Sequence, residues 1–500
     1  MQLTRWKRDA DEDRKPSLAE ILAGLSFALD LAQSAVPGHA LRSCLMSMRL
    51  GRELGLSDAA QADLYYAALL KDTGCSSNAA RMSQIIGGDD RALRAAVKLE
   101  DWTQLHWPKV SAMRLLWENV LPDAGVPRKL ARMLTIAGMQ HRTNEEMIGL
   151  RCERGATIVQ KLGMTEQAAA AVRSLDEHWD GSGYPDRLRG NSISLLARIL
   201  LVGQHLDVFA REKGVDTALL VLRERDGRWF DPEVVRAAES LHKRGLLWQE
   251  CLPAGGDESL LEQRTRAAVL DIDPSAPEPL ASAQVDQICE TFSEVVDAKS
   301  RFKFRHSLGV AQAARLIGAH MQLRPERAQL LHRAALLHDL GKLRVPNSIL
   351  DKPGKLNFAE WQIMREHAGL TRTILKRIPQ YRELADIAGA HHEKLDGSGY
   401  PNHLKANELP LEARILAMAD VYGALTEDRP YRPGFSREQA LAIMQRDAPA
   451  KLDGNCLDAL TAATEERKRP ALDAETPPVP AALHALPAGV PAALLPAGHA

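Results

Sequence analysis

Apolar residues recur at three- and four-residue spacings along most of the chain, with Leu and Ala dominating. Alternating runs of β-branched residues are nearly absent, so the pattern predicts an all-α protein. Residues 326–340 form one such stretch, with Gly341 as its expected stop. Asn357 followed by Glu360 has the form of a capping box, opening a helix that runs toward Arg377 and is ended by Pro379. Ser436 with Gln439 marks another start. Glycine and proline clusters at 253–256 and 273–279 bracket a short helical piece and predict a linker over 251–279. Seven prolines among Ala, Leu and Val in residues 470–500 predict a disordered tail.

The chain repeats itself. Residues 180–185 and 396–401 are both Asp-Gly-Ser-Gly-Tyr-Pro, and Ala197-Arg-Ile-Leu200 matches Ala413-Arg-Ile-Leu416 at the same offset of 216. Upstream, Ala68-Leu-Leu-Lys-Asp-Thr-Gly74 matches Ala335-Leu-Leu-His-Asp-Leu-Gly341 at an offset of 267, which also places His39 on His306. The change of offset gives the first copy 51 additional residues between these blocks. Two tandem helical bundles follow, at 18–250 and 280–468.

Composition narrows the classes. With 64 Lys+Arg against 65 Asp+Glu, the net charge of −1 opposes a broadly basic binder of DNA or RNA polymers. The six cysteines are scattered with no CxxC pair, which excludes a zinc ribbon and points to a reducing compartment. The N-terminus is charged and lacks the apolar core of a secretory signal. The most apolar stretch, Ile193 to Phe209, is interrupted by Arg198 and Asp207 and reads as a buried helix. A cytoplasmic protein without a membrane span is expected.

Chemistry concentrates in the second copy, which holds His306, His338, Asp339, His367, His391, His392 and Asp420. A lone histidine on a helix is ordinarily structural, and His320, His332 and His403 are read so. Adjacent pairs differ: neighbours on a helix point about 100° apart, so His338-Asp339 and His391-His392 do not serve one packing purpose. Five imidazoles and two carboxylates suit a pair of divalent metals with one carboxylate as bridge. Without thiolate, iron or manganese fits better than structural zinc. Two such ions about 3.5–4 Å apart can activate water against a phosphodiester.

His338-Asp339-x-Gly341-Lys342 together with His391-His392-Glu393-x-x-Asp396-Gly397-x-Gly399-Tyr400-Pro401 resembles the HD-GYP domain of bacterial signalling phosphodiesterases. The loop 345–355, Ala419-Asp420 and Arg429-Pro-Tyr-Arg432 extend the likeness over essentially the whole second copy. The resemblance implies a helical bundle around an iron or manganese site that hydrolyses cyclic di-GMP to pGpG and GMP. It makes metal ligands of His306, His338, Asp339, His367, His391, His392 and Asp420, with Asp339 the bridge and Lys342 a substrate-phosphate contact. Arg429 and Arg432 read either as phosphate or guanine contacts or as a solvated pair; Tyr400 and Pro401 shape the turn. Phe302 stands where trimetallic members carry Glu, which favours two metals. Gly423 stands where the family usually carries Asp.

In the first copy His39 and Asp72 survive, but Lys71, Cys75, Arg151, Leu175-Asp176 and Gln204 replace the other site positions. Two ligands cannot hold two metals, and Lys71 or Arg151 would place fixed positive charge in the cavity. The copy is read as a scaffold, a homodimer or signalling-protein interface, or an anion-binding sensor. For the whole chain, a cyclic di-GMP phosphodiesterase leads. A catalytically weak cyclic-dinucleotide-binding adaptor and a hydrolase of another cyclic dinucleotide are the alternatives.

Overall fold

The computed structural model describes residues 14–88, 114, 117–121, 124–253, 256–275, 279–300, 305–428 and 433–466. Among them the regular structure is helical. The first module contains α1 (Leu18–Gln33), α2 (His39–Glu53), α3 (Asp58–Leu70), α4 (Ala79–Ile86), α5 (Val126–Lys161), α6 (Glu166–Arg173), α7 (Leu195–Lys213), α8 (Val215–Glu224) and α9 (Pro232–Lys243). After α10 (Glu258–Asp271), the second contains α11 (Ser282–Asp297), α12 (His306–His320), α13 (Pro325–Leu337), α14 (Asn347–Leu350), α15 (Phe358–Leu375), α16 (Arg382–Gly389), α17 (Leu411–Thr426), α18 (Arg437–Asp447) and α19 (Gly454–Glu466).

The repeat is structural as well as sequential. Shifted by 267, α2 and α3 coincide end to end with α12 and α13; shifted by 216, α6 coincides with α16. The 51-residue difference falls in the stretch that includes the first half of α5, a 36-residue helix where the second module has the 18-residue α15. Both expected capping boxes form, Asn357 with Glu360 and Ser436 with Gln439. One boundary differs from expectation. The helix predicted over 326–340 ends at Leu337, so His338 and Asp339 sit in a turn that leads into a 3-10 segment, Leu340–Arg344. Close packing forces this: a Cβ on Gly341 would lie 2.0 Å from the His367 carbonyl oxygen. Gly341 thus serves helix-to-turn approach rather than an immediate helix stop.

One continuous apolar core runs through both modules, from Ile21 and Leu25 on α1 to Leu336, Ile374 and Leu457. The first helix is the joint. α1 packs on α2, α3 and α10 and also against the 340–344 turn and α15 of the second module. Gly24 permits the approach, since a Cβ there would meet Ile378 Cγ1 at 2.4 Å. Beside it the Arg377 guanidinium lies 3.6 Å from the centre of the Phe27 ring and pairs with Glu262. The segment expected as a linker, 251–279, carries a packed helix. Its helix α10 is fixed to the first module, with Tyr65 donating to the Val269 carbonyl and Tyr66 to Ser275.

All six cysteines are buried and none forms a disulfide. Among the described residues no helix is long and apolar enough to cross a membrane, and Ile193–Phe209 lies in and just before the largely buried α7. The tail at 470–500 lies outside the described residues, as do Phe302, Arg429 and Arg432.

Candidate metal centre

The seven candidate ligands of the second module converge. His306 opens α12, His338 and Asp339 form the turn after α13, and His367 stands on the third turn of α15. His391 and His392 follow α16, and Asp420 is on α17. All but His392 are buried. Asp339 stands between two groups of imidazoles. Its Oδ2 lies 3.5 Å from His338 Nε2 and 3.7 Å from His306 Nε2. Its Oδ1 lies 3.6 Å from His367 Nε2 and 3.9 Å from His391 Nε2. Asp420 spans the same divide, with Oδ1 3.4 Å from His306 Nε2 and Oδ2 3.7 Å from His392 Nδ1.

The tautomers are set from outside. His338, His367 and His391 each donate Nδ1–H to a carbonyl three residues back, Ala335, Met364 and Ala388, at 2.6–2.7 Å. A carbonyl only accepts, so each Nδ1 carries a proton, and in the neutral ring the lone pair is on Nε2, facing the centre. The Nε2 atoms of His367 and His391 stand 3.1 Å apart. Two lone pairs facing at that distance repel unless a cation or proton lies with them. Burial, reinforced by nearby Lys342 and the other imidazoles, pushes His367, His391 and His392 well below the ordinary histidine range, which keeps them neutral. For His338, burial is outweighed by Asp339 and Asp420, and the value rises. Asp420 is held well below the usual carboxylate range: burial opposes its charge, but His306 and His338 overcome it. His306 Nε2 and His338 Nε2 are buried without a hydrogen bond. Neutral imidazole lone pairs on either side of a shared carboxylate fit a pair of divalent cations.

The surroundings hold this arrangement. Thr371 donates to the His338 carbonyl at 2.8 Å and accepts from Gly341 N–H at 2.9 Å, clipping the 338–341 turn to α15. Asp297 accepts from the Ser307 amide and hydroxyl at 3.0 and 2.8 Å, capping α12 where His306 begins it. Glu393 receives the amides of Asn402 and Leu404, folding the turn that carries Tyr400 back on His392. The sequence reading named Glu393 only as part of the motif, without a role, and named neither Thr371 nor Asp297. Asp297 and Glu393 did carry a signal, since Asp30 and Glu177 occupy the same repeat positions and accept equivalent amides. Lys342 Nζ sits 2.5 Å from Asp339 Oδ2, pairing with the carboxylate expected to bridge. At the rim, Trp361 is 43% exposed and edge-on to Tyr400, over which Arg365 also lies.

The first module keeps the frame, with His39 and Asp72, but not the other five donors. Lys71 pairs with Asp72, which also accepts from Gln33 at 2.9 Å, and Arg151 pairs with Asp176. The two cations expected to charge this cavity are each met by a carboxylate. Gly74 repeats the close approach of Gly341, its Cβ position 2.0 Å from the Arg151 carbonyl oxygen. Glu177 holds the Asp180–Pro185 turn as Glu393 holds its counterpart.

A bundle of helices repeated twice, with a His-Asp turn feeding a buried cluster of imidazoles, is the architecture of an HD domain protein. The family model for the HD domain matches residues 79–234 and 287–456, and the chain belongs to that family. It is 37% identical over 444 residues to the 3'3'-cGAMP-specific phosphodiesterase 3 of Vibrio cholerae serotype O1, covering 89% of this chain and 94% of that protein. The crystal structure of a cyclic GMP-AMP-specific phosphodiesterase of V. cholerae, V-cGAP3, superposes with a TM-score of 0.61 at 33% identity, over 90% of this chain and 98% of that one. A cyclic di-GMP phosphodiesterase response regulator of Xanthomonas campestris is 35% identical over 204 residues, 40% of this chain and 51% of that protein.

Proposed function

We propose that the chain is a metal-dependent phosphodiesterase that linearises 3'3'-cGAMP, using the second module. The observation that carries the substrate is the extent of likeness: the cGAMP-specific relative is matched over 89% of this chain, the cyclic di-GMP relative over 40%. This reverses the order expected from the motif, in which cyclic di-GMP came first. The motif speaks for the metal chemistry that both activities share, not for the base.

In this reading His306, His338, Asp339, His367, His391, His392 and Asp420 hold two divalent cations, iron or manganese by donor type. Such a pair supplies Lewis acidity toward a phosphodiester and makes water a competent nucleophile at neutral pH. The chain's own residues do the rest. Asp339 joins the two imidazole groups, and Lys342, paired with it, is the cation assigned to meet phosphate charge. Trp361, Tyr400 and Arg365 provide an aromatic and cationic rim of the kind on which purine bases stack. Arg429 and Arg432 are kept as phosphate or base contacts. The first module acts as scaffold or regulator, because Lys71 and Arg151 stand where ligands would and are paired with Asp72 and Asp176.

The test is a substrate panel on the Mn(II)-loaded full chain. A higher kcat/KM for 3'3'-cGAMP than for cyclic di-GMP supports the reading; the reverse order restores cyclic di-GMP.

A further inference from the structure

Both modules set a carboxylate against the histidine that opens the second helix, but from different positions. In the first, His39 Nδ1 lies 2.7 Å from Asp207 Oδ2, and Arg42 grips the same carboxylate, Nε to Oδ1 at 2.6 Å. Under the repeat shifts Asp207 falls on Gly423 and Arg42 on Gly309, so the second module lacks both side chains. Glu427, one turn further on at the C-cap of α17, reaches into that place. Its carboxylate oxygens stand 2.7 and 2.9 Å from His306 Nδ1. Cβ atoms on Gly423 and Gly309 would lie 3.7 and 3.8 Å from Glu427 Oε1, so this carboxylate borders the space where the missing side chains would begin. The counterpart of Glu427 in the first module is Arg211, which pairs with Glu258. The replacement therefore belongs to the second module alone.

We propose that Glu427 is a positioning residue for His306: it accepts a hydrogen bond from Nδ1–H, which leaves the lone pair on Nε2 and aims that nitrogen at Asp339 and Asp420. His306 needs a side chain for this. The other three buried imidazoles use carbonyls of their own preceding turn, whereas His306 is the first residue of its helix and has no such turn behind it. A carboxylate behind a ligating imidazole also raises its basicity, and losing one typically costs about 10–100-fold in metal affinity. Gly423 then marks a carboxylate moved along the helix, not one lost. The inference rests on the cluster being a metal site and not on which cyclic dinucleotide is cleaved.

The test is calorimetric titration of Mn(II) into metal-stripped full chain, with helical circular dichroism as the folding control. Glu427→Ala is expected to weaken binding about 10–100-fold. Glu427→Gln keeps an acceptor without the charge and should fall between. Adding Gly423→Asp to Glu427→Ala should recover most of the loss, because Asp207 makes the same contact from that position. A folded Ala or Gln variant with wild-type affinity overturns the proposal, as does a folded double variant no better than Glu427→Ala alone. A wild-type chain that binds neither Mn(II) nor Fe(II) overturns the metal-site reading and this inference together. One that binds Mn(II) yet cleaves no cyclic dinucleotide removes only the proposed activity.

Discussion

Lys71 and Asp72 form a buried ion pair at the position where the second module has His338 and Asp339. One substitution turns a ligand pair into an internally neutralised one; Gln33 also donates to Asp72, and Arg151 pairs with Asp176.

Metal should accordingly reside in one module only. Replacing His338 and Asp339 with Ala is expected to bring the metal content of the whole chain to background, measured by elemental analysis of anaerobically purified protein. Retained stoichiometric metal would place ions in the first module and contradict the division of roles.

The glycine of the His-Asp turn is set by contact. Gly341→Ala puts a methyl 2.0 Å from the His367 carbonyl oxygen, so the turn and α15 must separate. The expected loss is at least about 1–3 kcal/mol of stability, with weaker metal binding. Denaturant unfolding of the apo-protein checks it; a neutral effect would mean the turn is looser than described.

Acid should reveal the Asp207 cluster. Burial disfavours the Asp207 anion, but Arg42 and His39 outweigh that and pull its value down to about 2. A carboxyl lowered on folding contributes stability that is present above about pH 4 and lost as pH falls through about 2. Asp207→Asn is expected to cost about 3–5 kcal/mol at neutral pH by leaving Arg42 without its charge partner. The gap to wild type should narrow between pH 4 and 2. A gap independent of pH in that window contradicts the cluster.

The shared core predicts that both modules unfold together. Scanning calorimetry of the apo-chain should give one cooperative transition, and Gly24→Val, which drives α1 into Ile378, should lower it as a whole by about 1–3 kcal/mol. Two separated transitions would mean that α1 does not couple the modules.

The helical class, the duplication and the seven clustered residues were legible because each leaves a local or repeating mark. Periodicity marks helices, a six-residue identity marks the repeat, and paired histidines mark ligands. What supports the ligands was less legible. Glu427 reaches His306 across 121 residues, and its repeat counterpart is an arginine, so neither spacing nor repetition points to it. Asp297 could have been found, because Asp30 repeats it. The end of α13 was misplaced because periodicity cannot see the His367 carbonyl that packs on Gly341. The charge expected from Lys71 and Arg151 was overread for the same reason, since their partners only meet them in the fold.

Metal-dependent hydrolysis of a cyclic dinucleotide by the second module is what most needs testing. The most direct measurement is linearisation of 3'3'-cGAMP by the whole chain, wild type and Asp339→Asn, each metal-stripped and then resupplied with Mn(II). Turnover is expected only in the resupplied wild type. Equal turnover by the Asp339→Asn chain, or by the stripped wild type, would contradict it.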